Sequence, residues 1–222
     1  MTLKLVERLV PFGNVLDVGC FCGDLLGMLP SRYKKYGIEP SDSARRLAEE
    51  KGIIIIARSL EELDGEEIKF DLIVLLDVVE HLLFPFHAMQ KLSSLLNRGG
   101  LIALSTGNTD ALPWRLMRTD YWYYFTEHVS FFNLKWFKWM ASQLDLRIVM
   151  LEKFSHFEGS ILERWRQLSQ CLAFWSAKKC RKYGLLYRLL SVTYPFSKVK
   201  KWPEAPTTRL WRDHVFVVMK SE

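Results

Sequence analysis

Short apolar runs alternate with amphipathic stretches along most of the chain. In chain order the runs are NVLDV, KYGIE, GIIIIA, FDLIVLLD and GGLIALST. Each run is bounded by Gly, Asp or Pro, which is typical of strands buried on both faces of a parallel sheet. The stretches between the runs have helical spacing. This alternation predicts a doubly wound α/β fold.

Two of the intervening stretches begin and end with helix signals. SDSARRLAEEK opens at Ser41, a residue type that caps helix N-termini, and ends before Gly52. PFHAMQKLSSLLNRGG has Pro85 near its first turn and stops at Gly99. Further along, NLKWFKWMASQL predicts one more helix, and DLRIVMLEKF and HVFVVMK predict two more strands.

The composition agrees with one packed domain over residues 1–222. Hydrophobic residues make up 49% of the chain and aromatic residues 14%, which argues against disorder. No stretch has the apolar length of a membrane-spanning helix, and the N-terminus lacks a signal-peptide cleavage site. The four cysteines form neither a C-x-x-C pair nor a zinc-finger spacing. We therefore expect a cytoplasmic protein with reduced thiols.

The net charge of +6 is unevenly distributed. Residues 155–212 contain twelve Lys or Arg and three acids, so this segment carries +9 and the rest of the chain −3. Its first part has helical spacing, with an apolar stripe formed by Ile161, Trp165, Leu168, Leu172 and Trp175. We predict a basic helical insertion before the last strand.

The first apolar run ends in an acid and is followed by two glycines. Asp17 lies near the end of the run, and Gly19 and Gly23 come after it. A dinucleotide fingerprint would also need glycine at positions 21 and 24, which hold Phe21 and Asp24. The loop therefore suits a ligand that has no pyrophosphate lying against the backbone. The alternative is that Asp17 only caps a helix.

A second acid closes the next strand. Glu39 follows KYGI about twenty residues further on, where an acid accepts hydrogen bonds from both ribose hydroxyls. In doubly wound sheets, ligands bind at the carboxyl ends of the strands near the switch in strand order. Glu39 and the loop after the first strand would meet there. The alternative is that Glu39 is a surface acid.

Four segments together resemble a known family. VLDVGCFCG, GIEPS, FDLIVLLDVVEHL and LNRGGLIALST, in this order and spacing, resemble the class I S-adenosylmethionine-dependent methyltransferases. TEHVSFFN resembles the branch of the ubiquinone-pathway O-methyltransferases. The resemblance covers residues 12–154. It implies a Rossmann-like, seven-stranded, mostly parallel sheet with an antiparallel last strand, and S-adenosylmethionine as the cofactor.

The resemblance also implies a set of cofactor-binding residues. They are Asp17, Gly19, Cys20, Phe21, Gly23, Glu39, Pro40, Ser59, Leu60, Asp77, Val78 and His81. In similar enzymes the loop after the first strand surrounds the methionyl part, and the acid after the second strand holds the ribose. The pair at positions 59 and 60 contacts the adenine, and the pair at 77 and 78 lies over the sulfonium.

Phe21 is the main departure from the family pattern, which has glycine there. A Phe rarely takes a positive φ, so we expect an ordinary backbone conformation at this residue. The loop would then reach the cofactor through Gly19 and the amide near Cys20. On this interpretation the departure leaves cofactor binding intact.

His128 is the candidate catalytic base. Methyl transfer needs a base only where the acceptor must lose a proton, and His128 follows an aromatic segment that covers the pocket in similar enzymes. The alternative is a structural His bonded to the backbone. Asp77, Glu80 and His81 would share a helix face, as metal ligands do in some relatives. Three ligands alone make a weak site, so we predict no metal.

The sequence restricts the identity of the methyl acceptor only in part. LLDVVEH differs from the Asn/Asp-Pro-Pro-Tyr motif of amino methylases acting on adenine or glutamine, which argues against those substrates. The aromatic segment 107–132 is either a lid over an apolar or ring-shaped acceptor or part of the core. We expect a small-molecule or glycan/lipid-precursor acceptor, methylated at oxygen.

Three interpretations remain for the basic segment 155–212. It could lie on an anionic membrane and present a lipid-linked acceptor, contact nucleic acid, or form a solvated cap or dimer face. Motifs for RNA recognition are absent, so nucleic acid ranks last. A protein of a different class would keep the fold without catalysis and use this segment to hold a partner or a membrane.

Overall fold

The computed structural model describes residues 3–63, 68–156, 159–180 and 211–222. Its strands are β1 Gly13–Val18, β2 Tyr33–Ile38, β3 Ile54–Ala57, β4 Phe70–Leu76, β5 Leu96–Gly107, β6 Leu146–Phe154 and β7 His214–Ser221. Its helices are α1 Leu3–Leu9, α2 Asp24–Gly27, α3 Asp42–Glu50, α4 Pro85–Ser94, α5 Leu112–Met117, α6 Leu134–Gln143 and α7 Ile161–Cys180. None of these helices is long and apolar enough to cross a membrane.

The strands form one seven-stranded sheet in the order β3-β2-β1-β4-β5-β7-β6. β1 pairs in parallel with both β2 and β4, and β5 continues the parallel ladder beside β4. β7 runs antiparallel to β5: Asn108, just past the end of β5, donates to Asp213, while Gly99 near its start lies by Lys220. The predicted fold is confirmed. The chain turns from one half of the sheet to the other between β1 and β4, so this is the switch point where ligands bind.

The apolar runs become strands because the sheet buries them from both sides. In β4, Leu72, Ile73, Val74 and Leu75 are all inaccessible to solvent, although successive side chains point to opposite faces. The two edge strands are less buried: β6 is mostly exposed or half-buried, and β3, although all of its residues are apolar, buries only Ala57 fully. Burial on both faces, rather than an apolar run alone, therefore distinguishes a strand in the middle of the sheet.

The helix signals of the sequence are confirmed at their starts. The Ser41 side chain accepts a hydrogen bond from the Ala44 amide at 3.4 Å and caps α3, and Pro85 is the first residue of α4. The predicted end of α4 at Gly99 is wrong, because the helix ends at Ser94. The residues after it enter β5, whose first residue pairs with Phe70 of β4.

The described residues divide into two compact units. The sheet unit comprises Met1–Thr106, Lys135–Glu152 and Phe216–Glu222, and the aromatic unit comprises Gly107–Leu134 and Lys153–Val215. The sequence suggested one domain with two separate elaborations, an aromatic one and a basic one. Both elaborations belong to the aromatic unit. Of the basic segment, residues 157–158 and 181–210 lie outside the described residues.

The aromatic unit has its own core. Trp114 of α5 is buried and stacks on Tyr121, with ring centroids 5.0 Å apart and planes inclined by 28°. The buried cluster also includes Tyr123 and, from α7, Cys171. Trp175 packs against this cluster. Of the two interpretations for the aromatic segment, these residues therefore support a core position. Tyr124 and Phe125 of the same segment remain exposed.

The predicted apolar stripe of α7 is only partly correct. Leu168 is buried and Trp175 is half-buried, but Trp165 is 60% exposed and Ile161 is 73% exposed. The buried face instead includes Cys171, because α7 packs against α5 along its middle and not along its first turn. The first turn of α7 thus presents apolar side chains to solvent.

Candidate cofactor site

The loop after β1 lies at the switch point and depends on glycine. Gly19 has φ +75°, and its amide donates to the carbonyl of Ile38 at the end of β2, at 2.8 Å. A Cβ on Gly19 would lie 2.8 Å from a methyl of Val78, which follows β4. Only glycine therefore lets the loop pass this closely to the end of β4.

Gly23 has a structural part in the same loop. It adopts φ +71° and precedes α2, and a Cβ there would lie 2.1 Å from the Ile53 side chain and 3.2 Å from that of Ala48. The glycine is required for the packing of the loop against α3 and β3. Its contact with a ligand stays a prediction.

The expectation of an ordinary backbone at Phe21 is wrong. Phe21 has φ +47°, in the left-handed region that non-glycine residues rarely occupy. Its amide donates to Oε2 of Glu39 at 2.9 Å, and this charge-assisted hydrogen bond offsets the backbone strain. The ring is 64% exposed, so packing contributes little to holding the residue in this conformation. Phe21 therefore holds a backbone conformation that glycine would adopt without strain.

The amide of Cys20 is engaged within the loop, and its contact with a ligand stays a prediction. Its amide, like that of Gly19, is directed to the Ile38 carbonyl, at 3.1 Å. Its thiol lies over Gly37, where a Cβ would come within 2.6 Å of the sulfur. Burial, together with the nearby carboxyl groups of Asp17 and Glu39, raises the pKa of this thiol to about 12. Cys20 is therefore a neutral packing group at physiological pH.

Glu39 connects two loops at the carboxyl edge. Its side chain is buried, with Oε2 accepting from the Phe21 amide and Oε1 from the Ser41 amide, both at 2.9 Å. It is therefore not the surface acid of the alternative interpretation. Each carboxylate oxygen has a second lone pair and can accept a further hydrogen bond. Pro40 follows in an exposed position, and its carbonyl accepts from Arg45 at 2.8 Å.

Asp17 is buried near the end of β1, and its electrostatic environment is unusual. Burial raises its pKa from 3.8 to about 7, and the negative charge of Glu39 adds to this effect. Near neutral pH the carboxyl group is thus close to the midpoint of its titration. A cationic ligand group beside it would favour the ionised form, which suits the ammonium or sulfonium of the expected cofactor.

The end of β4 differs from the expected helix. Asp77 has φ +54°, its amide donates to the Ser105 carbonyl, and its Oδ1 accepts from the Ser105 hydroxyl, both at 3.0 Å. Only Val79–His81 form a short 3-10 turn, in which Glu80 is buried and His81 is exposed. The prediction that Asp77, Glu80 and His81 share a helix face is therefore wrong.

The residues expected at the adenine lie in the loop after β3. Leu60 is buried, and Ser59 is half-buried. The Ser59 side chain hydrogen-bonds the Glu61 carboxylate and thereby lowers the pKa of Glu61. Because parallel strands end at one edge of a sheet, the loops after β1, β2, β3 and β4 gather the predicted cofactor residues of the sheet unit at that edge.

His128 belongs to the aromatic unit. It is buried, its Nδ1 lies 2.9 Å from the carbonyl oxygen of Tyr123, and its ring contacts those of Tyr123 and Phe125 at centroid distances of 4.1 and 3.9 Å. A carbonyl only accepts, so Nδ1 carries the proton and Nε2 is the basic nitrogen. The bond to the backbone agrees with the structural alternative. A role as base stays a prediction.

Asp213 and His214 carry no motif that predicts a role. In the aromatic unit both are buried beside Tyr121, and the three side chains form one hydrogen-bonded chain. The only signal in the sequence is an Asp-His pair at the start of the last strand. The tyrosine is 92 residues away from Asp213, so no local pattern could have found it.

The strand order and the position of the switch define a Rossmann-like α/β protein with a ligand edge at the ends of β1 and β4. A family model for the methyltransferase domain matches residues 2–151. This match covers more than half of the chain, so the protein belongs to the methyltransferase domain family. The predicted class I methyltransferase is confirmed.

Solved structures share this fold. A SAM-dependent methyltransferase from Thermotoga maritima is 13% identical with a TM-score of 0.59, and the match covers 99% of this chain and 87% of that one. The YcgJ protein of Bacillus subtilis is 12% identical with a TM-score of 0.60, covering 99% and 97%. The plantazolicin methyltransferase BpumL, in complex with SAH, is 13% identical with a TM-score of 0.57, covering 99% and 80%.

At these identities the likeness to solved structures shows the shared fold alone. No curated protein is significantly similar to the chain. The branch of ubiquinone-pathway enzymes therefore stays a prediction from the sequence motifs.

Proposed function

We propose that this methyltransferase, whose methyl donor is S-adenosylmethionine, acts on a hydroxyl group of a small molecule or a glycan or lipid precursor. The observation that carries the cofactor part of this proposal is the arrangement of Glu39. A buried carboxylate at the end of β2 holds the loop after β1 and still has acceptor capacity on both oxygens. Such an acceptor pair suits the two neighbouring hydroxyls of a ribose.

The residues present fit the cofactor. Glu39 would accept from the ribose hydroxyls, and Asp17, with its raised pKa, would gain charge beside the cationic methionyl part. Ser59 and Leu60 would bound the adenine, and Asp77 would lie near the reacting centre. When bound, the cofactor supplies a methyl group on a sulfonium, which is a good leaving group.

The chain's own contribution to the rate is placement. The close approach of Gly19 and Val78 brings the ends of β1 and β4 together. These strand ends form the surface on which the two reactants would be aligned. Burial of Asp17 and Glu39 keeps the nearby dielectric low, which strengthens their attraction for cationic and hydroxyl groups. A hydroxyl acceptor must lose a proton, and His128 would be the base that accepts it.

Oxygen is favoured over nitrogen by two features of the sequence. The residues after β4 lack the motif of adenine and glutamine methylases, and the segment TEHVSFFN resembles that of ubiquinone-pathway O-methyltransferases. The exposed rings of Tyr124 and Phe125 support an apolar or ring-containing acceptor.

Calorimetry and a turnover screen test this function. We expect S-adenosylmethionine and S-adenosylhomocysteine to bind, and expect S-adenosylhomocysteine to accumulate when the protein is incubated with metabolite and glycolipid extracts. Mass spectrometry of the extract would then show a product heavier by one methylene. Binding without turnover in any extract would favour the alternative, a catalytically silent protein that holds a partner. Lack of binding would overturn the proposed function.

We further propose that the aromatic unit contacts anionic membranes, where a lipid-linked acceptor would be found. Ile161, Leu162 and Trp165 are 73%, 79% and 60% exposed on the first turns of α7, and Arg166 beside them is also exposed. Apolar and cationic side chains on one exposed helix suit an interface with anionic lipid. Seven of the twelve cations in the basic segment lie within 181–210, outside the described residues.

A further inference from the structure

A cavity in the sheet unit lies at the end of the sheet opposite the candidate cofactor site. Its volume is about 370 Å³, and its lining comes from β5, β6, β7 and the residue after β7: Arg98, Gly99, Arg147, Lys220, Ser221 and Glu222. β5 runs parallel to β4, and β4 to β1, so the start of β5 is remote from the loops that follow β1 and β2. Pockets of this size accommodate small organic ligands. The cavity is therefore a candidate site for a second ligand.

A bulge in β5 presents Arg98 and Gly99 to this cavity. Phe70 of β4 pairs with Leu96 of β5, and the next pair comes two residues later in β4 but five residues later in β5. Four residues of β5 thus lie opposite a single residue of β4. Bulges of this kind re-aim individual side chains of a strand.

The bulge is anchored to its neighbouring strands. Nδ2 of Asn97 donates to Oδ1 of Asp71 at 2.8 Å, and Oδ2 of the same carboxylate accepts from a backbone amide of β1, also at 2.8 Å. Gly100 closes the bulge tightly, because a Cβ there would lie 2.8 Å from the carbonyl oxygen of Phe70. The backbone of Arg98 is therefore held in place by the fold.

Two more cations reach the same cavity from the neighbouring strands. Gly99 has φ +77°, and a Cβ there would lie 3.5 Å from Cε of Lys220, so the lysine side chain lies over the bulge. Arg147 is the second residue of β6, which lies on the other side of β7. Three neighbouring strands, in the order β5-β7-β6, thus each contribute one cation to the cavity.

The charge of the lining is positive and uncompensated. Arg98, Arg147 and Lys220 are exposed, and Glu222 is the acid that lines the cavity with them. Within the described part of the chain, no hydrogen bond or ion pair joins the three cationic side chains to a protein group. Like charges around one cavity repel one another, and a bound anion would relieve this repulsion.

The donors favour phosphate over other anions. Guanidinium groups bind phosphate through paired N–H donors, and a lysine adds a compact positive charge. A phosphate monoester carries a charge of about −1.5 to −2 at pH 7, whereas a carboxylate carries a single charge, so three cations suit the phosphate better. Ser221 adds a hydroxyl donor to the lining.

We propose that this cavity binds a phosphate ester through Arg98, Arg147 and Lys220, at a site separate from the cofactor site. The cations contact the phosphate group, and the rest of the cavity holds the group esterified to it. The ester is a soluble metabolite or the headgroup of a lipid, which present the same phosphate chemistry. The proposal does not depend on the proposed function, because none of its residues belongs to the candidate cofactor site.

Titration calorimetry of the 222-residue chain with glycerol 3-phosphate tests the site. This probe lacks the adenine and ribose that the cofactor site would recognise. At low ionic strength we expect saturable binding of one equivalent. Arg98→Gln, Arg147→Gln and Lys220→Gln should each weaken it roughly tenfold, because each removes a charge-assisted hydrogen bond. Circular dichroism establishes that each variant is folded.

One variant should have the opposite effect. Glu222→Gln removes the acid from the lining and should strengthen binding by up to about fivefold, the scale of an exposed charge interaction. Damage to the fold could not produce this gain. Arg46→Gln and Lys138→Gln, at exposed cations of α3 and α6, are the matched controls and should bind as the wild-type protein does.

Vesicles of phosphatidic acid in phosphatidylcholine distinguish the two sources of the ester. Saturable binding of free glycerol 3-phosphate that Arg98→Gln weakens would identify a soluble ligand. Weak binding of the free ester, with vesicle binding that Arg98→Gln lowers, would identify a lipid headgroup. Any contact of α7 with the vesicles is common to both proteins and cancels in this comparison.

Three results would overturn the proposal. The first is no saturable binding of the ester together with equal vesicle binding by the wild-type protein and Arg98→Gln. The second is ester binding that all three site variants retain, since the ester would then bind elsewhere. The third is equal weakening by Arg46→Gln, which would mean attraction by net charge alone. If one site variant does not fold, the other two and Glu222→Gln decide the outcome.

Discussion

The amide of Phe21 donates to the carboxylate of Glu39 at 2.9 Å, while Phe21 itself stands at φ +47°. One side chain from the end of β2 thus holds a strained residue in the loop after β1. The left-handed conformation costs roughly 1–2 kcal/mol for a residue with a Cβ, and a hydrogen bond to a charged group contributes about 1.5–3 kcal/mol. The loop keeps the shape that glycine would give it because Glu39 is in place.

Replacing Phe21 separates backbone strain from any role of the ring. Phe21→Gly should be about 1 kcal/mol more stable than Phe21→Ala, because glycine adopts the positive φ without strain. Both variants should still bind S-adenosylmethionine, since each keeps the amide that bonds to Glu39. Urea unfolding and calorimetry measure the two quantities. If Phe21→Gly folds but loses binding, the ring itself shapes the pocket.

Glu39 should be required for cofactor affinity. Glu39→Ala removes a charge-assisted interaction of about 1.5–3 kcal/mol, so S-adenosylmethionine should bind roughly tenfold to hundredfold more weakly. Glu39→Gln should fall between wild type and Ala, because its amide keeps one accepting oxygen for the two loop amides. Glu49→Gln, on the exposed side of α3, is the matched control. An unchanged calorimetric titration of Glu39→Ala would exclude the ribose assignment.

Titration of the Asp17 carboxyl group should make the free energy of unfolding depend on pH. Its pKa of about 7 in the folded protein lies above the ordinary value of 3.8, so the folded protein binds the proton more tightly. The proton on Asp17 stabilises the folded protein by at most roughly 4 kcal/mol. This contribution is fully present below about pH 4 and is lost as the pH rises through about 7. Asp17→Asn lacks this titration.

The free energy of unfolding in urea, measured from about pH 4 to pH 8, compares the two proteins. We expect Asp17→Asn to become progressively more stable than wild type as the pH rises, and to bind S-adenosylmethionine more weakly because it carries no charge. For Asp145→Asn, at an exposed position, the free energy of unfolding should change with pH in parallel with that of the wild-type protein. Parallel curves for Asp17→Asn would mean that Asp17 titrates normally.

His128 can be tested without disturbing its bond to the backbone. His128→Asn keeps a donor for the Tyr123 carbonyl and removes the basic nitrogen, whereas His128→Ala removes both. If His128 is a base, both variants should turn over at least about tenfold more slowly with cofactor affinity nearly intact. Full turnover by His128→Asn with instability of His128→Ala would mark the residue as structural.

The exposed start of α7 should bind anionic vesicles. We expect salt-sensitive co-sedimentation with vesicles containing phosphatidylglycerol and little with phosphatidylcholine, since each cation near such a surface contributes about 1 kcal/mol. Replacing Ile161, Leu162 and Trp165 together by Ser should weaken binding, and Leu47→Ser, at an exposed apolar residue of α3, should not. No sedimentation with anionic vesicles at low salt would leave the segment as a structural cap.

Patterns within a few residues were enough to predict the sheet. The run at 72–75 is apolar without a break because both of its faces are buried, and Ser41 caps α3 through a contact three residues away. Glycine at positions 19 and 23, with acids at 17 and 39, likewise identified the ligand edge, because the ends of parallel strands meet there. The sequence by itself determined the fold class and indicated which residues to examine as a candidate site.

Tertiary structure decided whatever depends on partners distant in the chain. The conformation of Phe21 is set by an acid 18 residues further on, and the exposure of Trp165 depends on which part of α7 meets α5. The chain from Tyr121 to His214 joins residues brought together only when the segment after β5 and the start of β7 pack in one unit. Hydrogen bonds and buried contacts of this kind depend on distances in space, which local spacing along the chain does not encode.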